Sequence, residues 1–299
     1  MPNTTHMHIP SNRVRDIERY IRTELDELYP EGELRMFTQM LFEAYMGWST
    51  AQLLLHRDDT INQSDLLKFH WAVEDLKQYR PIQHIIGYTD FCDCRIAVSP
   101  DVLIPRPETE EIVLRATELL NDSGANVQEG NFLDLCTGSA CIAIALAKQF
   151  PKAKVYAVDI STKALDLAQK NAERNHVAVE FVQSDILQET IALPCPTFDL
   201  IISNPPYIQE KERCDMERNV LEYEPSLALF VPDKDPLKFY RAIGLYALQH
   251  LTCKGLLILE INEHLGSATC QLLQSIGFVT QLLQDFRGKD RSIIATPKP

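Results

Sequence analysis

The chain has 299 residues, with 29 Lys and Arg against 42 Asp and Glu, a formal net charge of −13, and 45% hydrophobic residues. This length and balance suit a soluble two-domain protein with a sizeable core. They argue against a membrane span, because runs such as Gly255 to Ile261 fall far short of about 20 apolar residues, and against a phosphate-gripping protein, which needs a basic patch.

The chain opens without a basic-then-apolar leader, so a cytoplasmic location is expected. The first 80 residues read as helix: Val14 to Leu28 places Val14, Ile17, Ile21 and Leu25 at three- and four-residue spacing, and Leu34 to Gly47 and Ser64 to Tyr79 repeat the pattern. Gly47 marks a stop, and Ser49 or Thr50 caps a short helix after it. From Arg80 to Pro107 prolines and Gly87 change the texture, and Phe91 to Val98 alternates like a strand, so a β-hairpin linker is expected. In such a strand Cys92 and Cys94 share a face. None of the eight cysteines has C-x-x-C spacing, so free thiols and no metal are expected.

Strand and helix then alternate. Asn131–Leu135 reads as a strand, Ser139–Gln149 as a helix, Lys154–Val158 as a strand and Lys163–Asn175 as a helix. Strands Val179–Gln183, Phe198–Ser203 and Leu256–Ile261 follow, then a helix and the strands Phe278–Leu283 and Arg291–Thr296. This order predicts an α/β, Rossmann-like, doubly wound and mostly parallel sheet. The domains are read as 1–80 helical, 81–105 hairpin linker and 106–299 catalytic.

In such sheets ligands sit beyond the carboxyl ends of the strands. After the first strand comes Cys136-Thr137-Gly138-Ser139-Ala140, a small-residue turn leading into a helix whose free N–H groups face a ligand. Such a turn also serves simply to pack a helix on a sheet. The second strand ends in Asp159, 21 residues after Gly138, placed for the hydroxyls of a ribose. Asp185 follows the third strand, placed for an exocyclic amine, with Ile186 to cover the ring. Together these fit an adenosine-bearing cofactor. Neither the dinucleotide fingerprint nor a lysine-containing P-loop is present, and S-adenosylmethionine, which has no phosphates, needs neither.

Ser203-Asn204-Pro205-Pro206-Tyr207 follows the fourth strand. Two prolines make a rigid rim that donates no hydrogen bonds. An amide nitrogen is a poor nucleophile because its lone pair is delocalised. Accepting both its hydrogens, at the Asn204 side chain and the Pro205 carbonyl, raises its electron density and aims it, while Tyr207 packs on the amide plane.

At these residues the chain resembles the HemK/PrmC family, the protein-(glutamine-N5) methyltransferases that modify the Gly-Gly-Gln loop of peptide chain release factors. Asn204 to Tyr207 match its catalytic motif, which is shared with DNA adenine-N6 and some ribosomal RNA guanine methyltransferases. More specific are Leu103-Ile104-Pro105-Arg106-Pro107-Glu108-Thr109-Glu110, Arg80 to Gly87, Glu224-Pro225, Ala228-Leu229, Glu260-Ile261 and Asp285 to Arg291. The resemblance implies a seven-stranded class I S-adenosylmethionine-dependent methyltransferase fold. It implies that positions 136–140, Asp159 and Ile186 line the cofactor, with Asn204 also expected to contact it, and that Asn204, Pro205, Pro206 and Tyr207 hold the glutamine. The family usually has glycine where this chain has Cys136 and Ala140. Both replacements are small, so binding is expected to survive, although a backbone needing positive φ there tolerates a side chain badly.

The partner implied is a release factor docked on the N-terminal helices. Alternatives are a glutamine in a ribosomal protein and an adenine-N6 nucleic-acid target, the second disfavoured by the acidic balance. A monomer that takes no direct nucleic-acid substrate is expected, since no long apolar surface stripe is left unassigned.

Overall fold

The computed structural model describes residues 11–122, 127–188, 191, 193, 195 and 197–299. One compact unit ends at Gly87 and a second runs Tyr88–Pro299.

The first unit is helical: α1 (Val14–Leu25), α2 (Glu31–Met46), α3 (Thr50–Leu55), α4 (Gln63–Lys77) and α5 (Ile82–Ile86). Val14, Ile17, Ile21 and Leu25 are all fully buried, the stripe that helical spacing predicts. They join Leu41, Phe42, Phe69 and Leu76 in one core, with the Phe42 and Phe69 rings 4.5 Å apart. Gly47 ends α2 in the left-handed region, at φ 70°. Ser49 and Gln52 form a capping box on α3. Asn62 caps α4 by accepting from the Asp65 N–H.

The helix read over 14–28 stops at Leu25, and the one read to Tyr79 stops at Lys77, since Tyr79 turns to φ 61°. Residues 82–86, read as part of the hairpin linker, are helical instead, because Ile82 is buried in the helical core.

The hairpin comprises β1 (Tyr88–Phe91) and β2 (Cys94–Ala97). The single strand expected over Phe91 to Val98 therefore spans its turn. Cys92 and Asp93 form that turn, with φ 45° and 59°, the positive pair that matches strand twist in a two-residue loop. Cys92 consequently does not share a strand face with Cys94. Asn171 grips the hairpin end, accepting from Ala97 N–H (2.8 Å) and donating to Ala97 C=O (3.0 Å).

The rest of the second unit contains α6 (Pro107–Asp122), β3 (Asn131–Leu135), α7 (Cys141–Gln149), β4 (Lys154–Asp159), α8 (Thr162–Arg174), β5 (Glu180–Gln183) and β6 (Phe198–Ser203). Then come β7 (Ile208–Gln209), α9 (Arg218–Tyr223), α10 (Ser226–Leu229), β8 (Phe230–Val231) and α11 (Lys238–His250). The chain ends with β9 (Leu251–Glu260), α12 (Gly266–Ile276), β10 (Phe278–Gln284) and β11 (Asp290–Pro297). Helices α6 and α11 are missed by the sequence reading.

Seven strands form one sheet in the order β10-β11-β9-β6-β3-β4-β5. β11 runs antiparallel to both its neighbours, and the other pairings are parallel. This is the mostly parallel, doubly wound architecture expected. Alternate residues face opposite sides, as strand geometry requires. Phe132, Leu200 and Ile202 join one core with α6 and α7, whereas Leu133, Leu135 and Ile201 join another with α11 and α12. Helices cover both faces, so the central strands β3, β4, β6 and β9 are largely apolar, whereas the edge strands β5 and β10 carry polar residues such as Glu180, Gln183 and Gln284. Strand order reverses between β3 and β6, which defines the switch point of the sheet.

Candidate functional site

At the switch point the Ser203 hydroxyl, ending β6, donates to the Leu135 carbonyl, ending β3, at 2.6 Å. A cavity of about 280 Å³ opens there. Its wall includes Cys136, Thr137, Gly138, Ser139, Asp159, Asp185, Ile186, Asn204 and Pro206 from the strand ends. It also includes Leu103, Arg106, Thr109, Pro225, Leu227 and Phe239. Glu224 joins two segments of that wall, accepting from Ile104 N–H at 3.0 Å and from Arg106 at 2.5 Å.

The turn after β3 is wound tightly. Cys136, Gly138 and Ala140 all have positive φ, at 59°, 54° and 62°. At the two non-glycine positions this costs about 1–2 kcal/mol each, and tertiary bonds hold the turn in place. Thr137 N–H donates to Val158 C=O at 3.0 Å, Gly138 N–H to Asp159 Oδ2 at 2.8 Å, and Asn171 Nδ2 to Ser139 C=O at 3.0 Å. Ala140, expected to line the cofactor, is fully buried in the core and does not line the cavity; it shapes the turn from behind. A Cβ on Gly138 would meet nothing within 4 Å, so bare backbone faces open space in the cavity.

Asp134 supports the turn from beneath. Its Oδ2 accepts from the Thr137 hydroxyl (2.5 Å) and the Ala143 N–H (3.2 Å), while its buried Oδ1 has no partner among the described residues. Burial pushes its carboxyl up to about 7, against the pull of those two bonds.

Asp159 accepts from Gly138 N–H at one oxygen and from Ser161 N–H (2.9 Å) at the other. Each oxygen keeps a second lone pair, enough for two ribose hydroxyls. Burial raises its pKa, opposed by the Ser161 and Gly138 N–H groups. Asp185 Oδ1 accepts from Leu187 N–H at 2.9 Å, and its other oxygen makes no bond among the described residues. The bare backbone at Gly138, the acid at Asp159 and the apolar cover at Ile186 fit S-adenosylmethionine.

Asn204 Nδ2 donates to the Thr109 hydroxyl oxygen at 3.3 Å. The Thr109 hydroxyl donates to Glu260 Oε2 at 2.7 Å, and the Tyr207 hydroxyl donates to Glu260 Oε1 at 3.0 Å. The Tyr207 carbonyl accepts from Asn262 Nδ2 at 3.2 Å. Burial raises the Glu260 pKa, with the Thr109 and Tyr207 hydroxyls and then Arg291 pulling it back. Burial first, then the Glu260 charge, raises the Tyr207 phenol well above its ordinary value. Asn204 and Pro206 line the cavity, and Pro205 and Tyr207 continue the same rim outside that lining.

Sequence reasoning assigns no role to Thr109, Glu224 or Glu260. Their partners lie 53 to 151 positions away in the chain, so no local spacing exposes them. Among the described residues no group of three or more His, Cys, Asp or Glu could hold a metal ion.

Two family models match: "PrmC N-terminal domain" over residues 17–87 and "Methyltransferase small domain" over residues 110–223. The release factor glutamine methyltransferase of Flavobacterium psychrophilum is 42% identical over 272 residues, covering 90% of this chain and 94% of that one. Its namesake from Bacteroides thetaiotaomicron is 37% identical over 280 residues, covering 93% and 98%. Among solved structures, a methyltransferase from Pyrococcus furiosus shares the fold, with a TM-score of 0.50 and 22% identity over 69% of this chain and 90% of that one.

Proposed function

The chain belongs to the release factor glutamine methyltransferase family and is an S-adenosylmethionine-dependent methyltransferase, and from that premise we propose how its own residues carry out the transfer. It methylates the side-chain amide nitrogen, N5, of the glutamine in the Gly-Gly-Gln motif of peptide chain release factors. Cofactor contacts come from Cys136, Thr137, Gly138 and Ser139, with Ala140 shaping their turn, and from Asp159, Asp185 and Ile186. Asn204, Pro205, Pro206 and Tyr207 hold the glutamine.

When bound, the cofactor supplies a methyl carbon made electrophilic by its sulfonium. The work left to the chain is to hold and aim the nitrogen, since an amide lone pair is delocalised. The Asn204 side-chain oxygen and the Pro205 carbonyl each accept one N–H, which fixes the nitrogen in line with the methyl carbon. The rigid proline pair keeps those acceptors still. The lost proton leaves to water.

The observation that carries this reading is Asn204. It lines the cavity at the switch point with its Nδ2 already bound to Thr109, which turns Oδ1 away as an acceptor. Residues 1–80 serve as the docking domain for the release factor. The protein acts as a monomer in the cytoplasm, where translation terminates, and takes no nucleic-acid substrate. No described helix is long and apolar enough to cross a membrane.

The test is transfer of radiolabel from S-adenosylmethionine to a purified release factor. The same factor with its Gly-Gly-Gln glutamine changed to alanine, a ribosomal protein mixture and duplex DNA run beside it. Label on the intact factor alone is the expected outcome. Label on DNA, on ribosomal protein, or equally on both factors overturns the assigned substrate.

A further inference from the structure

Glu260, the last residue of β9, is 2% exposed and divides its two oxygens between two hydroxyls from distant parts of the unit. Thr109, in the first turn of α6, donates to Oε2, and Tyr207, just past β6, donates to Oε1. A carboxylate only accepts, so both hydroxyl protons are committed to it. The Thr109 oxygen is left with lone pairs alone for its other neighbour, Asn204.

That restriction decides which way the Asn204 amide faces. The two ends of an asparagine amide are nearly the same size but opposite in hydrogen-bonding sense. A hydroxyl free to rotate would take either end. Held by Glu260, Thr109 takes only the Nδ2 end, and the 3.3 Å bond is of that sense. Oδ1 then points elsewhere, and it makes no hydrogen bond among the described residues. Reversed, Asn204 would present N–H groups to a substrate amide that itself needs acceptors, and two donors would meet.

We propose that Thr109 and Glu260 form a polarity lock that keeps the Asn204 oxygen turned toward the substrate amide, with Thr109 and Glu260 as positioning residues for methyl transfer. The same carboxylate fixes Tyr207, so both ends of the Asn204–Tyr207 rim are set by one buried group. The lock rests on the reading of Asn204 as the acceptor for the substrate amide.

The experiment uses the full chain, radiolabelled S-adenosylmethionine and a purified release factor. It measures kcat, the KM for the factor and, by calorimetry, the cofactor Kd. Thr109→Val keeps the shape and removes the hydroxyl. It is expected to lower kcat by at least about tenfold, as loss of one oriented transition-state contact does. The factor KM and cofactor Kd should stay within about twofold, because neither is set by the amide's polarity. Thr109→Ser should restore kcat to within about threefold of the parent. In an Asn204→Ala background, Thr109→Val should change kcat by less than about twofold, since the group it orients is gone.

If Thr109→Val fails to melt cooperatively, Glu260→Gln takes its place. It keeps the volume but offers one oxygen for two hydroxyls, and the same pattern is expected. Full kcat in the variant, or an equal loss in the Asn204→Ala background, overturns the lock. Full kcat in Asn204→Ala alone overturns the underlying reading of the site and with it the lock.

Discussion

Asp134 is the carboxylate whose surroundings oppose its charge most openly. It is fully buried, and one oxygen has no partner among the described residues. Its pKa rises from 3.8 to about 7, through burial first and the neighbouring Asp159 charge among the smaller causes. A folded-state pKa above the unfolded value means that the folded chain binds this proton more tightly. The resulting stability is fully present below about pH 4 and is lost as pH rises through about 7. Asp134→Asn removes the titration and leaves the Thr137 and Ala143 bonds an acceptor. Without cofactor, thermal melting of the parent should therefore fall between pH 4 and pH 7 with a slope of up to about 1.4 kcal/mol per pH unit, and Asp134→Asn should flatten it. An equal slope in the variant would assign the pH dependence to other groups. Asp159, one strand over, is the residue proposed to carry cofactor affinity. Asp159→Ala removes two charge-assisted acceptors for ribose, each worth about 1.5–3 kcal/mol. Calorimetry should show a Kd for S-adenosylmethionine weakened by at least about tenfold. Unchanged affinity would remove Asp159 from the site. Asp159 and Asp185 are legible in the sequence because each stands at or just past the end of its strand, as Asn204 to Tyr207 follow β6, whereas Asp134 lies inside β3 and is given no role there. Thr109 and Glu260 are not legible, because their contacts exist only once α6, β6 and β9 have packed together.

At the scale of elements, the hairpin, α8 and the cofactor turn are tied through one side chain. Asn171 is fully buried on α8 and serves Ala97 N–H, Ala97 C=O and Ser139 C=O. Asn171→Ala leaves those groups without that partner, at a cost of about 2–4 kcal/mol, read as a lowered melting temperature. Asn171→Asp should do no better, since a carboxylate accepts from Ala97 N–H but repels both carbonyls. The turn itself gives a second prediction. Ala140 sits at φ 62°, so Ala140→Gly relieves about 1–2 kcal/mol of backbone strain. It also loses about 0.8 kcal/mol of methyl burial and about 0.4–1 kcal/mol through a more flexible unfolded chain. The net change should be within about 1 kcal/mol despite complete burial. Ala140→Val, β-branched at the same φ, should destabilise by more than about 2 kcal/mol. A large loss in Ala140→Gly would mean that the turn is not strained. Elements with uniform apolar spacing, such as α1 and β3, are legible from sequence. The hairpin turn is not, because Cys92 and Asp93 adopt positive φ without the glycine that usually announces it. Nor is α6, whose start is masked by Pro105 and Pro107 although proline suits the first helical turn.

For the whole molecule, the division into two compact units falls at Gly87. Every described residue lining the cavity belongs to Tyr88–Pro299, and so do both cores that hold the sheet between its helices. The helical unit has its own core, built on α1, α2 and α4, and none of its described residues belongs to that lining. If the helical unit docks the release factor, binding of cofactor and binding of protein substrate should be separable. A chain beginning at Tyr88 should fold and bind S-adenosylmethionine within about threefold of the full chain's Kd, a difference below about 0.7 kcal/mol. Its kcat/KM for an intact release factor should fall by at least about tenfold, mainly through KM, because uniform binding energy is what has been removed. Toward a short Gly-Gly-Gln peptide, too small to reach a docking domain, the shortened and full chains should perform alike. Loss of cofactor binding in the shortened chain would mean that the helices hold the cavity in shape. Undiminished kcat/KM on the intact factor would mean that recognition lies within the catalytic unit, and that the helices serve stability alone.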